Sequence, residues 1–283
     1  MKLVSFRYHG DTSFGALTGD GSLLVLDQGK YSLRDALGWG AERLDKAVAS
    51  ATHTVSVRDV DFLPPIPERD VKIICVGLNY RDHQNEASGS AFDLGSRDEH
   101  PTIFLRTADS HVGHGQDVPY PTSSKQLDYE GELAVIIGTR ARSLTKADAG
   151  QVIAGYACYN DFSVRDWQLH SSQWTAGKNF CQVGAFGPFL VTADEIDDPT
   201  RLDLETRVNG DVKQHASVAD MIFSIPELLE YVSVFTELNP GDVIVTGTPS
   251  GVGAFRDPPE FLRVGDTVEV EISGLGVLTN RIA

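Results

Sequence analysis

The chain has 283 residues, 41% apolar and 23% charged, which suits a globular core and excludes a disordered or low-complexity protein. Its 24 basic and 40 acidic side chains leave a net charge of −16, which argues against sequence-independent binding to nucleic acid or anionic lipid. Three cysteines without a CxxC pair exclude a disulfide framework, and no apolar run reaches the roughly 18 residues of a membrane span, so a soluble cytoplasmic protein is expected.

In chain order, LVSF, FGALT and SLLVLD read as short strands, and LRDALGWGAERLDKAVAS as one helix. Leu63-Pro64-Pro65-Ile66-Pro67 then interrupts the pattern, because proline removes backbone donors and fixes φ. We read residues 1–65 as a small N-terminal α+β domain and 66–283 as the main domain. In the latter, KIICVGL, TIFL, GELAVIIG, QVIAGYACY, LETRV, DVIVTG, DTVEVEI and GVLTNRI read as strands. VNGDV reads as a tight hairpin, since Asn-Gly supplies the φ > 0 pair of a two-residue turn. Ser224, Pro226 and Glu227 make a capping-box start for a helix carrying Leu228, Val232 and Phe235 on one face. Many short strands with few helices predict a mixed, β-rich α+β fold, a barrel or sandwich rather than a doubly wound sheet.

The chemistry concentrates between His83 and Thr248. In LDYEGELAVIIG, Glu130 and Glu132 are two apart at the start of a strand, so both carboxylates project from one face. The apolar run that follows is that of a strand buried on both faces. An E-x-E on a strand is by itself often only a solvated face, but Asp161, at the end of VIAGYACYN, adds a third carboxylate. Three carboxylates suit a hard cation such as Mg²⁺ or Mn²⁺, although Asp161 also reads as a helix N-cap before Phe162.

Upstream, His83 and Glu86 in GLNYRDHQNE are three apart, so on a helical turn the carboxylate can orient the imidazole as a general base. The segment from Glu86 to Pro101 is rich in Gly, Ser and charge, and reads as a lid. Arg165 and Gln168 share one side of a turn, and Lys178 in QWTAGKNF offers the positive centre this acidic chain otherwise lacks. The TGTPSGVG loop lacks the Gly-Lys-Ser/Thr of a phosphate loop, but its glycines and Thr248 would let backbone N–H groups approach a small anion.

The ordered series GLNYRDH, LDYEGELAVIIG, YNDFSVRDWQ, QWTAGKNF, MIFSIPELLEYVS, LNPGDVIVTGTPSGVG and VGDTVEVEISGLGVLTNRI resembles the fumarylacetoacetate hydrolase family, from about residue 70 to the C-terminus. The resemblance implies a β-sandwich roll catalytic domain, assembled as a homodimer. It implies that Glu130, Glu132 and Asp161 bind Mg²⁺ or Mn²⁺, or Ca²⁺ as in some members. It assigns His83 and Glu86 to the lid dyad, Lys178 to the active-site lysine, and Arg165, Gln168 and Thr248 to the substrate. Three departures stand out: Gly131 between the glutamates, which is expected to loosen the strand; Arg106-Thr107 where many members read Lys-Pro; and His114 where many have Pro, with His111 nearby. Both histidines read as turn residues.

The activity implied first is metal-dependent hydrolysis of a C–C bond in a 2,4-diketo acid of the acylpyruvate or fumarylpyruvate type. His83 would activate water, and the metal with Lys178 would stabilise the enolate. The alternatives are an isomerase or decarboxylase of oxo-dienoic acids in aromatic-compound catabolism, an oxaloacetate decarboxylase, and a non-catalytic member that only binds an oxo acid. The partner is in each case a small anionic oxo acid.

Overall fold

Runs such as GELAVII, with all seven residues buried, form strands at the centre of a sheet covered on both faces. The computed structural model describes residues 1–27, 30–90 and 99–283; the lid reading falls mostly on residues 91–98, outside the described residues. The strands of the first half are β1 Lys2–Tyr8, β2 Asp11–Leu17, β3 Ser22–Asp27, β4 Thr54–Ser56, β5 Asp61–Phe62, β6 Ile73–Gly77, β7 Thr102–Arg106, β8 Leu127–Asp128 and β9 Gly131–Ile137. Those of the second are β10 Ile153–Asn160, β11 Ser163–Val164, β12 Ala185–Thr192, β13 Asp203–Val208, β14 Asp211–Ser217, β15 Val243–Val245, β16 Thr267–Ile272 and β17 Gly276–Arg281. The helices are α1 Leu33–Leu37, α2 Ala41–Ser50, α3 Arg81–Ala87, α4 Arg165–Gln168, α5 Thr175–Lys178 and α6 Ile225–Phe235.

One long mixed sheet runs β4-β3-β2-β1-β12-β10-β9-β15-β6-β7, with β5 on β1, and β15 joins β6 in parallel. A second, antiparallel sheet of order β14-β13-β16-β17 covers one face. There Leu133, Val135 and Ile137 of β9 pack in one core with Leu204, Val208, Val268, Val270 and Ile272, and with Leu228, Leu229 and Val232 of α6. On the opposite face Ala134, Ile136 and Tyr159 share a core with Leu33, Ala36 and Leu44 of α1 and α2. Residues 1–65 and the rest meet along β1·β12, where Lys2 and Leu3 pair with Val191 and Leu190. The fold is the mixed, sheet-rich α/β arrangement with few helices that the pattern of short strands predicts.

The hairpin at Asn209-Gly210 forms with φ of 53° and 86° at those residues. Glu227 accepts the Ser224 N–H at 2.8 Å, capping α6 as read. The helix read over LRDALGWGAERLDKAVAS is instead two, α1 and α2, because Gly40 turns to φ 76° between them. Strand β12 and most of β14 escape the sequence reading.

Candidate metal centre and active site

The cluster is built where two antiparallel strands end together. β9 and β10 pair through Glu132 and Tyr159 and through Gly131 and Asn160, and the Asp161 N–H donates to Glu130 O at 2.8 Å. This register brings Glu130, Glu132 and Asp161 together, one oxygen from each within 4.8 Å of the others. They are 4%, 1% and 0% exposed. Asp161 caps no helix: α4 starts at Arg165, after Val164, and both Asp161 oxygens face cations. Gly131 sits where the second sheet packs on the strand. A β-carbon there would lie 2.0 Å from Thr206 Oγ1, so the second sheet can approach only a glycine.

Buried carboxylates are tolerated only when paired. Lys178, at the end of α5, donates to Glu130 Oε2 at 2.7 Å and Asp161 Oδ2 at 2.6 Å. Arg165 lies 2.6 Å from Glu130 Oε1 and donates from Nε to Asp128 Oδ2 at 2.9 Å. Arg106 pairs with Asp161 Oδ1. Burial opposes the charge on Glu130, but Lys178 and Arg165 outweigh it and hold the carboxyl below its usual range. Burial likewise opposes the Lys178 charge, and Asp161 with Glu130 raises its pKa regardless.

Glu132 differs. Among the described residues no Lys or Arg pairs with it; its Oε2 accepts the Gly247 N–H at 2.6 Å. Burial, reinforced by Asp161 and Glu130, pushes its carboxyl well above the usual range. The cluster is therefore short of positive charge at one corner, and its donors are all hard oxygens. These residues fit a divalent cation of the Mg²⁺, Mn²⁺ or Ca²⁺ type.

His83, buried on α3, holds Nδ1 2.8 Å from Glu86 Oε1, and its ring lies 5.8 Å from that of Phe255. Glu86 accepts the Gly251 N–H at 3.2 and 3.0 Å on its two oxygens. The loop after β15 thus does present its N–H groups to anions, but they are the protein's own carboxylates: Glu132 from Gly247, Glu86 from Gly251, and Asp128 from Gly253 at 2.8 Å. Thr248 donates to Gly131 O at 2.9 Å and accepts from Gln214 at 2.8 Å.

A small cleft is lined by His83, Glu130, Glu132, Arg165, Gln168, Lys178 and Thr248, with Val76, Leu78, Phe104, Trp174 and Phe255 as its apolar wall. Seven of the nine residues singled out in the sequence face it. Asp161 lies against Glu130 through Lys178, and Glu86 stands behind His83. Neither His111 nor His114 reaches it. His111 is buried against the Tyr159 hydroxyl, and His114 Nδ1 accepts the Thr279 N–H at 3.1 Å. Sequence reasoning missed Asp128, beside the E-x-E motif, and the wall formed by Phe104 and Trp174. It noted Arg106 only as a departure.

The profile of the fumarylacetoacetate hydrolase C-terminal family matches residues 72–283. The chain is 45% identical over 228 residues to the oxaloacetate tautomerase YisK of Bacillus subtilis, covering 80% of this chain and 74% of that protein. It is 41% identical over 302 residues to the human mitochondrial oxaloacetate tautomerase FAHD2A, covering 100% of this chain and 91% of the relative. Among solved structures, the fumarylacetoacetate hydrolase of Exiguobacterium antarcticum superimposes with a TM-score of 0.85 at 36% identity, over 100% of this chain and 99% of that one. The chain belongs to the fumarylacetoacetate hydrolase family.

Proposed function

We propose that this protein is a divalent-metal-dependent tautomerase of a small 2-oxo diacid of the oxaloacetate class. One observation favours this over hydrolysis: the B. subtilis and human relatives, at 45% and 41% identity, are both oxaloacetate tautomerases. The isomerase alternative is thereby better supported than the hydrolase reading placed first in the sequence analysis. The same site retains what hydrolysis needs, and the E. antarcticum neighbour, a fumarylacetoacetate hydrolase, supports C–C cleavage of a diketo acid as the second reading.

Glu130, Glu132 and Asp161 would hold Mg²⁺ or Mn²⁺, which when bound supplies Lewis acidity at the 2-oxo group. The chain's own residues do the rest. With Nδ1–H directed at Glu86, His83 Nε2 is left to accept a proton. It takes the C3 proton of the keto form as the C2–C3 double bond forms and returns a proton to the 2-oxygen, leaving His83 neutral again; the reverse order takes enol to keto. Lys178 stands beside the cluster to stabilise negative charge at that oxygen, and Arg165 with Gln168 to fix a carboxylate. Phe104, Trp174 and Phe255 keep water from that face of the cavity. Cys75, Cys158 and Cys181 are all free, which supports a reducing compartment. Among the described residues no helix is long and apolar enough to cross a membrane.

The test is loss of the ultraviolet enol band of oxaloacetate with Mg²⁺, run beside cleavage of acetylpyruvate. Acceleration of the first without acetate and pyruvate from the second is expected. His83→Ala should retain Mn²⁺ binding and slow turnover by about 10²–10⁴-fold. A full rate in that variant would overturn the base assignment, and acetate release would move the protein to the hydrolases.

A further inference from the structure

Arg106, the last residue of β7, lies outside the cavity lining, yet its side chain is fully buried. Its guanidinium meets five groups. Nη1 pairs with Asp161 Oδ1 and donates to Phe162 O at 3.1 Å. Nη2 donates to Val183 O at 2.5 Å and Ser110 O at 3.5 Å, and Nε to Ser110 Oγ at 3.2 Å. The chain makes room for this fork. A β-carbon at Gly184 would stand 2.5 Å from Nη2 and 2.9 Å from Cζ.

We propose that Arg106 is a positioning residue for the metal centre, gripping Asp161 by Oδ1 so that Oδ2 is the oxygen turned to the cluster. Oδ2 is the atom that meets Lys178 at 2.6 Å, on the side shared with Glu130. A carboxylate held at one end only can rotate and offer either oxygen. A planar guanidinium anchored to three backbone carbonyls removes that freedom, which a lysine's point charge cannot do. The next residue extends the brace: Thr107 donates its N–H to Asn179 Oδ1 at 2.7 Å, beside Lys178. The end of β7 therefore reaches both the carboxylate and the residue that bridges it to Glu130. The inference rests on the reading of Asp161 as a ligand and deepens it.

A buried counter-ion for Asp161 would need only charge, whereas a positioning group needs the fork, and the two separate experimentally. Metal-free protein is titrated with Mn²⁺ alone, followed by calorimetry and by the electron paramagnetic resonance line shape, with unfolding measured in chelator as the control. Arg106→Met should bind Mn²⁺ about 10–100-fold more weakly. Arg106→Lys, which keeps the charge and loses the fork, should recover part of that loss and show an altered Mn²⁺ line shape. Should Arg106→Met fail to fold, Gly184→Ala displaces the fork with every charge retained, and weaker Mn²⁺ binding is again expected. Affinity within twofold of the unaltered protein in Arg106→Lys, or in both other variants, would overturn the positioning role. Failure of the unaltered protein to bind Mn²⁺ would overturn the metal reading itself, and this inference with it.

Discussion

The chain carries the same motif twice, in two settings. Glu130-Gly131-Glu132 and Glu269-Val270-Glu271 are both E-x-E at or on a strand, each joined by a third carboxylate from a neighbouring strand or its end, Asp161 in one case and Glu205 in the other. The outer set surrounds Arg207, with contacts of 2.6, 3.1 and 2.8 Å from Glu205, Glu269 and Glu271, whose side chains are 31%, 31% and 47% exposed. The inner set is buried, is shared among Lys178, Arg165 and Arg106, and leaves Glu132 without a cation among the described residues. Water screens the outer charges, so their grouping costs little and implies nothing. The inner charges carry a desolvation cost that only ions and hydrogen bonds offset. Spacing alone does not make a candidate metal site; spacing at a buried strand end, with one carboxylate left without a cation, does.

The largest effect should come from deleting an inner carboxylate. Asp161→Ala is expected to abolish Mn²⁺ binding and turnover together. It should also cost about 3–5 kcal/mol in chelator, because Arg106 and Lys178 lose a shared buried anion; Mn²⁺ titration and denaturant unfolding check both. Gly131→Ala should cost about 1–3 kcal/mol by driving a methyl into Thr206, and should weaken Mn²⁺ binding as β9 shifts.

A smaller effect lies in the buried histidine below the cluster. Burial, reinforced by Arg106, pushes His111 well below its ordinary value of 6.5. The folded protein therefore keeps it neutral, while the unfolded chain takes up a proton near its ordinary pKa. Its contribution is complete above that value and is lost as pH falls below it, by about 1 kcal/mol between roughly pH 7 and pH 5.5. Unfolding of the native protein and His111→Asn across that range should show the gap between them narrowing as pH falls. The smallest effect is expected of the outer set: Glu269→Gln with Glu271→Gln should change stability by no more than about 1 kcal/mol and leave Mn²⁺ binding unchanged.

Much of this arrangement was legible because local chemistry and long-range packing agree. The apolar run after Glu130 reads as a doubly covered strand and is one, and Asn209-Gly210 and Ser224–Glu227 encode their turn and cap within a few residues. His83 and Glu86, on one helical turn, need no distant partner to meet. What stayed illegible depends on pairing across the chain. Asp161 reads both as a third carboxylate and as a helix cap until β10 is set against β9, and Gly131 looks like a weakness until the second sheet arrives with Thr206. The glycines of the 246–253 loop advertise anion contact, but only the fold shows that the anions are Glu132, Glu86 and Asp128. Arg106 has no motif of its own; its five partner groups lie in three separate stretches of chain.

The most direct measurement is the rate of enol-oxaloacetate loss with Mg²⁺, before and after chelation, for the unaltered protein and for Glu132→Gln. Acceleration that chelator removes and added Mg²⁺ restores, absent from a folded Glu132→Gln, is the expected result. An undiminished rate in chelator, or in Glu132→Gln, would contradict the assignment of the buried carboxylates to a catalytic metal.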